Sequence, residues 1–245
     1  MLPSNLYTTY LSEYAEICNV DNLISNLKKM SEDIKAIYRN DPSIGGIQFL
    51  LYPGLWAITM HRYIAHPLYK IGAAIKNPFA SSFFKFSALF FSQMARLLTQ
   101  IEIHPGAQIG KGFFIDHGNG VVIGETAQLG DYCSIFHGVT IGGTGNHTGK
   151  RHPTIGNHVF IGNGATLLGP IKVGNNVKIG ARTTVVMHNI PSNCTVVDSP
   201  ARIVKINGIK VNLPLEKTNV DRVPKPEIMR QHKNNIGMPK HVCYN

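Results

Sequence analysis

Asp116 and His117 lie side by side in "FIDHGNG". A carboxylate and an imidazole beside a glycine-rich turn are the chain's first candidates for proton chemistry. An imidazole can take a proton from a hydroxyl near neutral pH when a second group fixes its tautomer and orientation. Glu102 stands 15 residues before His117. In a coil of about 18 residues that separation places Glu102 on the neighbouring rung. A carboxylate there can hold one ring nitrogen of His117 and leave the other free, the orienter-plus-base arrangement that activates a hydroxyl nucleophile. Asp116 is then available to bind an ammonium group. The plainer alternative is a surface His beside a turn Asp, and the spacing to Glu102 favours the functional reading.

A repeat must position these groups. Aliphatic residues recur every six positions between Ile103 and Val185. The first run is Ile103, Ile109, Ile115 and Val121. The phase then slips by two, and a second run follows at Ile123, Leu129, Ile135 and Ile141. The third is Ile155, Ile161, Leu167, Val173, Ile179 and Val185. A period of six fits neither the helical nor the strand period. It predicts a parallel β-helix of hexapeptide repeats, in which three short faces close each triangular coil and the aliphatic residues stack inside. Asp116 directly follows Ile115 and takes a corner position where glycine is usual. His117 is therefore expected to point away from the core.

The second break in phase is longer. Ile141 to Ile155 spans 14 residues where the period predicts six. The excess must leave the coil as a loop within "GGTGNHTGKRHPT", a segment with four glycines, two histidines, a lysine and an arginine. Loops carried on rigid scaffolds are where function concentrates.

Length and composition set the frame. The 245 residues suit one large domain or two smaller ones, and the formal net charge is +10. That charge could serve nucleic acid, a phosphorylated cofactor or plain solubility; no nucleic-acid partner is expected. Cys18, Cys133, Cys194 and Cys243 are far apart with no CxxC pair, against a disulfide framework or a structural zinc site. The opening "MLPSNLYTTYLSEY" lacks the charged and apolar regions of a signal peptide, which predicts a cytoplasmic protein. The apolar stretch from about residue 78 to 98 is interrupted by Lys85, Gln93 and Arg96. It predicts a packed helix rather than a membrane span.

The expected class is α+β, in three parts. Residues 1–100 show helical spacing (Leu23, Leu27, Met30, Ile34, Ile37) and form an all-helical domain. Residues 101–204 form the β-helix. Residues 205–245 carry four prolines and many charges and predict an extended or disordered tail.

The run "IEIHPGAQIGKGFFIDHGNGVVIGETAQLGDYCSIFHGVTIGGTGNHTGKRHPTIG" resembles the serine O-acetyltransferases of cysteine biosynthesis. The resemblance continues through "GNGATLLGPIKVGNNVKIGA" to "PARIV" and reaches back to "YRNDPS" and "YPGLWAITMHRYIAH". It implies a left-handed β-helix and transfer of an acetyl group from acetyl-CoA to the hydroxyl of L-serine. It implies no permanently bound cofactor and no metal, with acetyl-CoA as co-substrate. By the same resemblance His117 matches the catalytic base and Glu102 its acidic partner. Asp41 and Asp116 match the carboxylates that grip the serine ammonium group, and Arg151 and His152 match residues that hold its carboxylate. Gly143, Asn163 and Ala181 match backbone contacts to the CoA arm. The family also implies a homotrimer with active sites between neighbouring β-helices, trimers paired through the helical domain, and L-cysteine as feedback inhibitor.

Several residues depart from the family pattern. Trp56 stands where many members carry His, and Asp198 replaces a common Gly. Arg182 follows Ala181 where Gly is frequent, adding a positive charge near the expected CoA phosphates. The sequence ends in Asn245 where many members carry the Ile that docks into cysteine synthase, which argues against that complex. Rival readings are a γ-class carbonic anhydrase, for which "FHGVTIG", His147 and His152 offer zinc-binding imidazoles, an acyltransferase acting on a sugar or homoserine, and a non-enzymatic scaffold.

Overall fold

The computed structural model describes residues 20–145, 148–197 and 202–215. The helical part comprises α1 (Val20–Asn40), a 3-10 turn (Gln48–Leu51), α2 (Pro53–Met60), α3 (His66–Ala74) and α4 (Pro78–Thr99). Prolines set its punctuation. Pro53 and Pro78 open α2 and α4, where a missing N–H leaves no helical bond unmade. Pro67 is different, because α2 runs on into α3 through a π turn at His61–Ala65. Proline can neither bond nor comfortably approach the carbonyl four residues back. The widened turn absorbs it: the His66 N–H reaches the carbonyl of His61 instead. Asn77 caps α4 by accepting from the Ala80 N–H at 3.1 Å. Gln100, at φ 60, ends the helix in the left-handed region.

A parallel β-helix follows, as the six-residue period predicts. Strands are numbered in chain order. The first sheet stacks β1 (Glu102–Ile103), β4 (Val122–Ile123), β7 (Thr140–Gly142), β10 (Thr166–Leu168) and β13 (Thr184–Val186). The second stacks β2 (Gln108–Ile109), β5 (Gln128–Leu129), β8 (Thr154–Ile155) and β11 (Lys172–Val173). The third stacks β3 (Phe114–Asp116), β6 (Ser134–Phe136), β9 (Phe160–Ile161), β12 (Lys178–Ile179) and β14 (Cys194–Val197). The strand registers convert the aliphatic repeat into interior columns: Ile103, Ile123, Ile141, Leu167 and Val185 in the first, and Ile115, Ile135, Ile161, Ile179 and Val196 in the third. All are buried, and each such side chain contributes about 1.5–3 kcal/mol. A polar ladder seals one edge. Asp131, Asn157, Asn175 and Ser192 each accept the backbone N–H of the rung before, at 2.8–3.0 Å.

Both phase breaks become visible features. Asp116 pairs with Phe136 and Val122 with Thr140. The corner between them therefore holds five residues in the first coil and three in the second. The two extra residues bulge out His117 and Gly118. The longer break is the loop from Gly142 to Thr154, which leaves between the first and second sheets.

The helical part is fastened to the first coil by a buried ion pair. Arg62 Nε lies 2.9 Å from Asp33 Oδ2. Arg62 also donates to the carbonyls of Ile109 (2.8 Å) and Gly110, and Asp33 Oδ1 accepts the Phe113 N–H at 2.8 Å. Burial pushes the Asp33 carboxyl above its ordinary value while Arg62 pulls it down. Arg62 makes four hydrogen bonds and both Asp33 oxygens have partners, the kind of pairing a buried charge requires.

The expectation of an extended or disordered tail from residue 205 is corrected at its start. Strand β15 (Arg202–Ile206) pairs antiparallel with β14, and β16 (Ile209–Pro214) folds back on β15. Asn207 and Gly208, at φ 48 and φ 81, make the turn. An Asn-Gly pair is the strongest short hairpin signal, and it was legible in "INGIK". Asp198, Asn245 and residues 216–244 lie outside the described residues. Among the described residues no helix is long and apolar enough to cross a membrane.

Candidate active site

His117 stands on the corner bulge between the third and first sheets, at φ 58 with its side chain 76% exposed. The left-handed backbone turns the ring outward, as the sequence predicts. Its Nε2 is 3.8 Å from Asp116 Oδ1, beyond hydrogen-bond reach. The His137 ring of the next coil lies edge-on, with centroids 5.9 Å apart.

Asp41 and Asp116 come together although 75 residues separate them in sequence. Their link is Tyr52, whose hydroxyl is 2.9 Å from Asp116 Oδ1 and 3.1 Å from Asp41 Oδ2. Asp41 is itself fixed. The Ser43 hydroxyl donates to its Oδ1 at 2.6 Å and the Ser43 N–H at 3.0 Å, and these bonds hold the carboxyl below its ordinary value. Burial, then Asp116 and Asp41, push the Tyr52 phenol well above its ordinary value. The approach depends on Gly54. A Cβ there would lie 2.7 Å from the Ile115 carbonyl oxygen, so only glycine lets the start of α2 dock on β3.

Glu102 does not reach His117 within the chain. Glu102 pairs with Val122, so the first coil is 20 residues long rather than about 18. The bulge at His117 accounts for the excess. Glu102 instead faces Arg96 of α4, Oε2 to Nε 3.4 Å. A cavity of about 510 Å³ beside the corner is lined by Arg96, Glu102, Asn119 and Gly120, among others.

Arg151 and His152 lie on a different edge, between the first and second sheets, where the long loop returns. Thr126 organises them. Its Oγ1 accepts the N–H groups of Arg151 (3.0 Å) and His152 (3.1 Å) and lies 2.9 Å from His152 Nδ1. The Thr126 N–H also donates to Nδ1 at 3.1 Å. Burial, then the Arg151 charge, lower the His152 pKa from its ordinary value. A neutral ring that accepts at Nδ1 carries its proton on Nε2. Arg151 Nη2 is 2.6 Å from Glu125 Oε2, and Tyr69 donates to Glu125 Oε1 at 2.6 Å. These two bonds, Tyr69 first, hold the Glu125 carboxyl low; burial and Glu125 push the Tyr69 phenol up to about 12.

The residues expected along the CoA arm divide in the same way. Asn163 and Ala181 stack above Asn119 and His137 on the His117 edge, where the Gly138, Gly164 and Arg182 N–H groups donate to the carbonyls of Asn119, His137 and Asn163. Arg182 tops this column at φ 57. Gly143 opens the loop beside Arg151, whose carbonyl oxygen a Cβ at 143 would meet at 3.3 Å. One chain thus carries the expected site residues on two different edges. His147 is outside the described residues. Trp56, 58% exposed, donates from Nε1 to the Leu50 carbonyl at 2.7 Å.

Sequence reasoning missed Tyr52, Tyr69, Glu125 and Thr126. Glu125 and Thr126 sit in "GETA", inside the long run that carries the family resemblance. Tyr52 gave no signal beyond its place before Pro53-Gly54.

Residues 152–186 match the family of bacterial transferase hexapeptide repeats (six repeats). The serine acetyltransferase of Bacillus licheniformis is 46% identical over 215 residues, 87% of this chain and 93% of the relative. Among solved structures, the Brucella abortus serine acetyltransferase in complex with coenzyme A is 42% identical, with a TM-score of 0.66 over 74% of this chain and 68% of that one. The Neisseria gonorrhoeae serine acetyltransferase in complex with serine is 38% identical, with a TM-score of 0.67 over 78% and 73%. A repeat-scaffold match alone fits many acyl acceptors, whereas these likenesses span both the helical part and the β-helix. The chain belongs to the serine acetyltransferase family.

Proposed function

We propose that the chain transfers the acetyl group of acetyl-CoA to the hydroxyl of L-serine by direct attack, giving O-acetyl-L-serine and CoA for cysteine biosynthesis. The observation that carries the mechanism is the exposed His117 ring beside the Asp41–Tyr52–Asp116 cluster. The carboxylates receive the serine ammonium group, and His117 takes the hydroxyl proton as the oxygen attacks the thioester carbonyl. The new C–O bond forms a tetrahedral oxyanion, which backbone N–H groups near Gly143 can stabilise. Its collapse breaks the C–S bond, and the leaving thiolate takes the proton back from His117. Glu102 is the acidic partner in this scheme, which requires its partly exposed carboxylate to swing from Arg96 toward the His117 corner. The cavity it shares with Asn119 and Gly120 lies beside the His117 corner.

Thiol release with acetyl-CoA and L-serine is the test. His117→Ala is expected to lower turnover by roughly two to four orders of magnitude in a folded protein. Near-wild-type turnover would remove His117 from the role. Acetylation of a sugar or homoserine in preference to serine would overturn the acceptor.

Arg151 and His152 hold the serine carboxylate, yet they occupy a different edge from His117. The reading that reconciles them is a trimer in which the Arg151 edge of one chain faces the His117 edge of the next. Phe79, Phe83 and Phe86 of α4, each about two-thirds exposed or more, support further association through the helical part. L-cysteine carries the same ammonium and carboxylate groups as serine and is expected to compete with it. Arg151→Ala should weaken serine binding and cysteine inhibition together, each by about tenfold or more for a lost bond to a charged group. Loss of serine affinity with cysteine inhibition intact would place cysteine elsewhere.

A further inference from the structure

We infer that Tyr52 is a positioning residue that sets the enzyme's selectivity for acceptors bearing an ammonium group, by holding Asp41 and Asp116 at a fixed span. The inference rests on the assignment of those carboxylates to the serine ammonium group.

The geometry is specific. Tyr52 immediately precedes α2, and its buried ring packs on Phe114 with centroids 5.8 Å apart. Its hydroxyl touches one carboxylate from the helical part and one from the β-helix. A phenol has one proton, so it donates to only one carboxylate at a time. Among the described residues, no Lys or Arg forms an ion pair with Asp41 or Asp116; the only nearby ring nitrogen is His117 Nε2 at 3.8 Å. Two carboxylates that share a single neutral donor remain short of positive charge. An ammonium group supplies three donors and can bridge both. Ser43 already fixes Asp41 through Oδ1, so Oδ2 is the oxygen turned to the phenol. Without the hydroxyl nothing spans the junction at this point: Asp116 loses this bond and is free to turn to water, while Asp41 keeps only its Ser43 contacts at Oδ1.

Burial and the neighbouring charges also keep the phenol protonated, so the linker persists at working pH. An acceptor with a hydroxyl but no amine has no use for the span and should be indifferent to its loss.

The experiment compares L-serine with 3-hydroxypropionate as acetyl acceptors in wild type and Tyr52→Phe. Phe keeps the ring on Phe114 and removes only the oxygen. The serine KM is expected to rise about tenfold, the size of one hydrogen bond to a charged group. The acetyl-CoA KM and kcat/KM for 3-hydroxypropionate should stay within about twofold. An unchanged serine KM, or equal losses on both acceptors, would overturn the inference. If Tyr52→Phe melts lower than wild type, serine affinity is read by calorimetry below its transition. Tyr52→Leu gives the baseline for lost packing. A purely structural role predicts that Phe and Leu lose both acceptors alike, which also overturns the inference. Asp41→Asn separates the two levels. If it leaves the serine KM unchanged, the ammonium assignment itself fails. If it raises that KM while Tyr52→Phe does not, only the role of Tyr52 fails.

Discussion

His152 is nearly buried and has its Nδ1 committed to Thr126, so protonating that nitrogen would set a positive charge against two groups that donate to it. Burial and Arg151 place its pKa below the ordinary 6.5. The unfolded chain takes up this proton before the folded one does, so the contribution to stability is full above about pH 6.5 and falls as pH drops below it. The loss levels off only beneath the folded pKa. Wild type is therefore expected to lose more melting temperature between pH 7 and pH 5 than His152→Asn, which has no ring to protonate. Equal losses in calorimetry would show that His152 does not oppose protonation. At this scale the sequence was informative about residue type and poor about partners. "DHGNG" and "KRHP" marked His117, Asp116, Arg151 and His152. In the single chain no hydrogen bond or ion pair joins His117 to Glu102: a corner bulge lengthens the coil, and the Glu102 carboxylate lies 3.4 Å from Arg96. Tyr52 was invisible because its meaning depends on two aspartates that only docking of α2 brings together.

The elements were legible where period governs and illegible where docking does. In the β-helix each aliphatic residue's column follows from counting by sixes, because one face must bury its side chains on every rung. The two breaks in that count marked the His117 bulge and the long loop. The helical part offers no such rule. How α2 meets β3 depends on a close approach at Gly54 and a buried Asp33–Arg62 pair, neither of which has a periodic signature. Gly54 carries a testable consequence. An alanine Cβ would lie 2.7 Å from the Ile115 carbonyl oxygen and 2.9 Å from its Cβ, too close for backbone packed in this way to ignore. Gly54→Ala should lift α2 from the first coil, costing about 1–3 kcal/mol and drawing Tyr52 away from Asp116. The serine KM should rise while the acetyl-CoA KM changes little. A variant with wild-type melting temperature and serine KM would mean that α2 is not held at this contact.

At the scale of the whole molecule the decisive fact is that each chain has its candidate residues on two edges of a triangular prism. Asp41, Asp116, His117, Asn163 and Ala181 gather on one; Gly143, Arg151 and His152 gather on another. A rigid β-helix cannot fold one edge onto the other, because every coil is closed by interior packing. If a single serine molecule is to meet both sets, the second set must come from a neighbouring chain. A cyclic trimer would supply that arrangement three times over, because a heterologous contact whose rotation closes after three copies repeats the same junction at each interface. Mixing two impaired variants, assayed at serine well below the KM of Arg151→Ala, tests it. His117→Ala chains lack the base and keep Arg151; Arg151→Ala chains lack the carboxylate anchor and keep His117. When equal amounts are unfolded and refolded together, random assembly leaves about a quarter of the intersubunit sites with both residues intact. Thiol release should recover to about that fraction of wild type, while each variant refolded alone stays low. No recovery, with mixed trimers verified by mass spectrometry, would mean that both residues serve one site within a single chain and that the prism edges are not shared.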